Sequence, residues 1–167
     1  YRHNDLTQLE RLLEEHHTTH HRVIIVTESI FSMDGDQADL QKLTELKRKY
    51  DNVLLYVDEA HAFGVRGRQG LGCAEEFHCI HDIDFLVGTF GKAAASVGAY
   101  IVCKKVIREY LINRMRTLIF TTGLPPINIA WTLFIVRRLA DMQERRKHLA
   151  HISRTLREAL QVRGYTC

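Results

Sequence analysis

No C-x-x-C pair occurs in these 167 residues; the four cysteines stand apart as Cys73, Cys79, Cys103 and Cys167. That excludes a clustered-cysteine metal site, and a chain of this size needs no disulfide framework, so all four are read as reduced thiols. No apolar run approaches the roughly 20 residues of a membrane-spanning helix, and the opening YRHNDLTQLE has no signal-peptide pattern. No long block of one charge sign exists. The formal net charge of +3 is spread along the chain, which argues against a nucleic-acid or membrane-surface partner. The phosphate loop G-x-x-x-x-G-K-[ST] is also missing, which removes a helicase reading of the D-E-A-H at 58–61. What remains is an ordinary composition, 46% apolar and 26% charged, enough for one compact domain with a real core. A cytoplasmic enzyme or binding protein is the default expectation.

Hydrophobic periodicity supplies the elements. Asp5 can cap a helix whose Leu6, Leu9, Leu12 and Leu13 fit a 3.6 repeat, and VIIVTES at 23–29 reads as a buried strand. Leu40, Leu43, Leu46 and Tyr50 mark a second helix, followed by the β-rich VLLYVDEAH at 53–61. A third strand ends at Thr89, a fourth covers GAYIVC at 98–103, and Val106 to Met115 is helical in pattern. After FTTGLPP the remainder is amphipathic helix with a break near 140–145. Apolar strands alternating with helices imply βαβ units, hence an α/β fold with a mainly parallel sheet covered on both faces. The HHTTHH run places His16/His20 and His17/His21 at the i, i+4 spacing of a metal pair, but no carboxylate or cysteine nearby completes a set. It is read as a solvated helix end, and no metal site is expected.

Sheets of this kind bind ligands at the carboxyl ends of their strands. Glu28, Ser29 and Ser32, then Asp58 and His61, then Thr89 and Lys92 all fall at or just beyond such ends and are expected to converge. Lys92 stands between the strand FLVG and the small residues Ala93, Ala94, Ala95 and Ser96. It is either a loop lysine reaching water or an amine stripped of part of its hydration and thereby made nucleophilic. The set as a whole suits pyridoxal 5'-phosphate. A lysine forms a Schiff base with it, and a carboxylate such as Asp58 keeps the pyridine nitrogen protonated, so that the ring stores a carbanion's electrons. Ala60 is small enough for a flat ring to lie against, His61 can donate to the ring's phenolic oxygen, and Thr89 can donate to the phosphate.

Four segments, TESIFSMDGD, VDEAHAFGVRGRQGLG, GTFGKAAASVGAY and FTTGLPP, together resemble the α-oxoamine synthases. These are fold-type I pyridoxal-phosphate enzymes that condense an amino acid with an acyl thioester and release carbon dioxide. The resemblance spans nearly the whole chain and implies that it is part of a longer protein. Residues 1–140 would belong to the cofactor-binding large domain, and 141–167 to a linking helix and the start of a small domain. It also implies Lys92 as the Schiff-base lysine, Asp58 as the pyridinium partner, Ala60 against the ring and His61 at the phenolic oxygen. Ser32 would lie beside the cofactor and Thr89 at its phosphate. Thr121 and Thr122 would reach the phosphate of a neighbouring subunit in a homodimer with shared active sites. The substrates implied are an amino acid and an acyl-CoA or acyl-carrier-protein thioester. The family's stacking histidine and carboxylate-gripping arginine lie outside the segment, and Ala93-Ala94-Ala95 departs from the usual residues after the lysine, so the substrate pair stays open. A non-catalytic subunit remains the alternative, although such subunits typically lose the lysine retained here. The glycine-rich GVRGRQGLG either cradles phosphate or forms a mobile loop near the substrate entrance. The second is preferred, because no clear helix start follows it.

Overall fold

The computed structural model describes residues 1–165, so Cys167 lies outside the described residues. Helix α1 (Leu6–His16) starts where the Asp5 carboxylate accepts the backbone N–H of Gln8 at 2.8 Å, and α2 (Leu40–Arg48) starts where Asp39 accepts that of Lys42 at 2.9 Å. Each cap satisfies a backbone donor that the helix itself cannot. Both helices turn their leucines inward: Leu9, Leu13, Leu40, Leu43 and Leu46 are all buried. Burying each contributes about 1.5–3 kcal/mol.

The leucines pack on a four-stranded sheet, β1 (Val23–Glu28), β2 (Val53–Asp58), β3 (Phe85–Thr89) and β4 (Ala99–Cys103), in the order β1-β2-β3-β4. The first three strands run parallel and β4 is antiparallel to β3. Register places Ile25 beside Leu55 and Val57 beside Leu86, on the face toward α1 and α2, where all four are buried. The opposite face is open at the β1 edge of this chain. Ile24 and Val26, on that side of β1, are 51% and 60% exposed. At the start of β3, buried Asp84 accepts the Leu55 N–H at 2.9 Å and pairs with Lys47 of α2 at 2.7 Å, which ties helix, β2 and β3 together.

The connection from β2 to β3 contains a one-turn helix, α3 (Cys73–Glu76), directly after the glycine-rich loop. Beyond β4 come α4 (Lys105–Arg114), α5 (Arg116–Ile119), α6 (Pro126–Arg138) with proline in its first turn, a 3-10 turn at Ala140–Met142, and α7 (Gln143–Val162). Of the described residues from 105 onward, only Leu139 and Arg146 are buried. No helix among the described residues is long and apolar enough to cross a membrane. The histidine run lies at a helix end: α1 stops at His16, and the His17 and His20 rings bond back to the carbonyls of Leu13 and His16.

Candidate active site

β2 delivers Asp58 to the carboxyl edge of the sheet, in register with Glu28 of β1 and Val87 of β3. The carboxylate accepts the N–H of Ala60 at 2.7 Å, which starts a tight turn, and the N–H groups of Ala62 and Phe63 continue it by donating to the Glu59 carbonyl. His61 rides on this turn. After β3, Thr89 accepts the Gly91 N–H at 3.1 Å and donates its hydroxyl to the Gly98 carbonyl at 3.2 Å, which folds residues 90–98 back toward β4. The two turns meet through Lys92, whose Nζ lies 2.7 Å from Nε2 of His61.

Of the two readings of Lys92, a loop lysine reaching water and a desolvated amine, its place in the fold matches the first. It is exposed, as are Ala93 and Ala95, while Ala94 alone is buried. The reason is local: the turn inserts Ala94 into a small cluster with Phe63 and Leu139, and the lysine on the outer arc points away. Helix α6 fixes that arc. Trp131 donates its indole N–H to the Ala94 carbonyl at 3.0 Å, and Thr132 bonds Ser96 at 2.8 Å. From below, Gly64 sits so close that a Cβ there would lie 2.7 Å from the Ala93 Cβ.

Asp58, Ala60, His61, Thr89 and Lys92 thus share one end of the sheet. Three other candidates share no hydrogen bond with that cluster among the described residues. Ser32 is exposed in the turn after β1, and Thr121 and Thr122 are exposed in the segment before α6, with Thr121 directed at the Thr122 carbonyl at 3.5 Å.

Glu59 is a residue that sequence reasoning missed. Fully buried, it accepts the Ser29 hydroxyl at 2.6 Å and the backbone N–H groups of Cys73 at 3.0 Å and Ala74 at 2.6 Å. Burial pushes its ionisation upward, the three donors pull it partly back, and neighbouring Asp58 adds to the rise. Gly72, with φ at +109°, lets the backbone approach: a Cβ would lie 2.6 Å from the Glu59 carboxyl carbon. The sequence hint was the strand-end carboxylate itself, which demands partners once buried. This arrangement corrects both readings of the glycine-rich loop. A helix start does follow it, and the N–H groups that could cradle phosphate already hold Glu59. The loop is tied down rather than loose: Glu75 accepts the N–H groups of Gln69 and Leu71, and Arg146 donates to the Arg68 carbonyl. Cys73 and Cys79 beside it are buried thiols pushed up to about 12 and about 11, chiefly by burial.

A match to the aminotransferase class I and II family model covers residues 1–167. The chain belongs to that family. The 8-amino-7-oxononanoate synthase of Haemophilus ducreyi is 55% identical over 167 residues, covering 98% of this chain and 43% of that protein. A Glaesserella parasuis protein provisionally given the same name is 64% identical over 157 residues, 94% of this chain and 41% of its own length. Among solved structures, serine palmitoyltransferase of Sphingomonas wittichii superposes with a TM-score of 0.93 at 34% identity, covering 99% of this chain and 41% of that one. The chain therefore spans less than half the length of the curated relatives it matches. The fold is that of a fold-type I large domain, and pyridoxal phosphate is the cofactor of the relatives, present in a matched serine palmitoyltransferase. The residues at the strand ends fit it: a primary amine, an imidazole within 2.7 Å of that amine, a strand-end carboxylate and the small Ala60 between them.

Proposed function

We propose that the protein containing this chain joins L-alanine to a pimeloyl thioester, carried by CoA or acyl carrier protein, with loss of carbon dioxide. The product would be 8-amino-7-oxononanoate, for biotin synthesis. The observation that carries this reading is the Lys92–His61 contact of 2.7 Å at the carboxyl ends of the strands. The names of the relatives at 55% and 64% identity supply the substrate pair.

Bound pyridoxal phosphate would supply an electron sink for charge developing at the amino acid's α-carbon. The chain's own residues do the rest. Lys92 anchors the cofactor, and its amine, once released, takes and returns the proton at the α-carbon, because it is tethered beside the reaction rather than recruited from solution. Its exposure leaves that amine reachable by substrate. His61 receives a hydrogen bond from Lys92 or gives one, and so sets where the amine rests between proton transfers. Asp58 would serve as the negative partner of the cofactor's ring nitrogen, and the Ala60 N–H bonded to it fixes the carboxylate's angle. Ala60 offers a flat contact, Ser32 and Thr89 polar contacts. Reduction of the full-length protein with borohydride, then peptide mapping, is expected to label Lys92; label on another lysine would falsify the assignment.

Thr121 and Thr122 are proposed to complete the phosphate site of the other subunit in a two-fold dimer, and their exposure supports this. Mixing full-length Lys92→Ala chains with Thr121→Ala/Thr122→Ala chains should then regenerate about a quarter of wild-type activity, because half the dimers are hybrids with one intact site. No regain places the threonines in their own subunit's site.

A second reading, serine palmitoyltransferase, is favoured by the TM-score of 0.93. Alanine with pimeloyl-CoA, tested against serine with palmitoyl-CoA, separates the two.

A further inference from the structure

The HHTTHH run has no part in the strand-end site, and it lies at the other end of the sheet. His21 and Arg22 lead directly into β1 and Asn52 into β2, so the turn that closes α1 stands beside the amino ends of these strands, away from Lys92.

Spacing alone would leave four loose imidazoles. Asn52 prevents that: its side-chain amide donates to the carbonyls of His17 at 2.6 Å and His20 at 2.8 Å, which holds the turn against the start of β2. Within the turn, the Thr19 N–H and hydroxyl donate to the His16 carbonyl at 3.1 and 2.9 Å. The His16 and His20 rings are thereby brought edge to face, with centroids 6.1 Å apart. That separation is within the span of two imidazoles joined through one ion, since each metal–nitrogen bond is about 2.0–2.1 Å and the ring adds its own radius.

The hydrogen positions agree. A carbonyl can only accept, so Nδ1 of His20, 3.1 Å from the His16 carbonyl, carries the hydrogen, and Nε2 of the neutral ring keeps a lone pair. Metal-bound histidines are oriented in this way, by giving their other N–H to a carbonyl or carboxylate. His17 is fixed alike by the Leu13 carbonyl, but it lies half-buried against Tyr50, whereas His16 and His20 are exposed. Charge agrees too. The last carbonyls of α1 present the negative end of the helix dipole, and Oε2 of Glu15 lies 4.0 Å from Nε2 of His16 while its other oxygen faces Arg11 at 3.7 Å.

We propose that the turn closing α1 binds a divalent transition-metal ion through the imidazoles of His16 and His20, with water on the remaining positions. Imidazole suits nickel, copper and zinc; magnesium and calcium take oxygen ligands instead. The site stands apart from the strand-end chemistry and does not rest on the function proposed for it.

Calorimetric titration of the full-length protein with Ni2+ tests it. Binding is expected, and it should persist in excess Mg2+. His16→Ala and His20→Ala should each weaken it by about tenfold or more, because even an outer-shell partner of a ligand is worth that much, while His21→Ala should change it by less than about twofold. Far-ultraviolet circular dichroism of the three variants, all altered at exposed positions, should match wild type and so separate a lost ligand from a lost fold. If either His16 or His20 proves dispensable, or His21→Ala weakens binding as much as they do, independent surface imidazoles take the ion and the site is wrong. Binding that survives in the His16→Ala/His20→Ala double variant places the ion elsewhere and overturns the site as well. So does displacement of Ni2+ by Mg2+, which would make oxygen atoms the ligands, and so does an absence of Ni2+ binding.

Discussion

The cluster around Glu59 and the turn around Lys92 occupy the same edge of one sheet and are built in opposite ways. Glu59 is wholly buried, and each of its three partners donates inward. Lys92 is exposed, its side chain answered by His61. The first arrangement spends its polar bonds on backbone: it joins the end of β1 through Ser29, the end of β2, and the start of α3. The second leaves its polar atoms turned outward, where a ligand can reach them, and relies on neighbours to stay in place. The rigid cluster holds the sheet edge; the open one presents the groups to which the proposed chemistry is assigned.

Removing Glu59 should break this contrast most severely. Glu59→Ala strands the Ser29 hydroxyl and two N–H groups in a dry pocket, each costing about 1–3 kcal/mol, so urea unfolding of the full-length protein is expected to show a loss of at least about 3 kcal/mol. Glu59→Gln keeps the shape but sets an amide N–H against donors, and should lose less. Acidity gives the sign. Burial raises Glu59 above its ordinary value of 4.5, so the folded chain holds this proton more tightly than the unfolded one. Its contribution to stability is therefore greatest below the unfolded value and declines as pH rises through the folded one. Wild type should lose stability over that window, and Glu59→Gln should lack the slope. A slope of opposite sign would show that the three donors outweigh burial.

The strands and their carboxyl ends were legible in the sequence because their signals are local. Apolar runs at 23–29 and 53–58, separated by leucines at helical spacing, require parallel pairing, and that pairing brings Asp58, His61, Thr89 and Lys92 to one edge. Glu59 was not legible, since its partners Ser29, Cys73 and Ala74 lie 30, 14 and 15 residues away and the receiving helix is a single turn. Nor was the direction of Lys92. Small neighbours announce close packing, but only the folded turn decides that Ala94 takes the inward place and Lys92 the outward one. The packing of α7 back over the loop, a contact between residues 78 apart, is likewise something no periodicity encodes.

A smaller change sharpens the contrast from the side of the turn. Trp131→Phe keeps an aromatic ring on α6 but deletes the N–H that holds the Ala94 carbonyl at 3.0 Å. One hydrogen bond of this kind is worth about 1 kcal/mol, a modest loss of stability. Activity should suffer more than stability, because a displaced amine forfeits the advantage of being held at the reacting carbon. A fall in kcat of about tenfold or more is expected with KM little changed. If kcat is untouched, the tryptophan supports the fold and not the lysine.

The smallest expected effect on folding comes from Lys92 itself. Its amine is exposed and its side chain enters none of the bonds that close the turn, which run through the Lys92 and Phe90 carbonyls, Thr89 and Trp131. Substituting such a residue usually moves stability by no more than about 0.5 kcal/mol. Lys92→Ala, unfolded in urea without added cofactor, should therefore match wild type within that margin while losing all turnover. The pairing with His61 does not alter the expectation, because the imidazole freed by the change sits at the surface edge of its own turn and can bond to water. A loss above about 1 kcal/mol would mean that the Lys92–His61 contact clamps the two turns together, giving the lysine a structural duty that the comparison with Glu59 denies it.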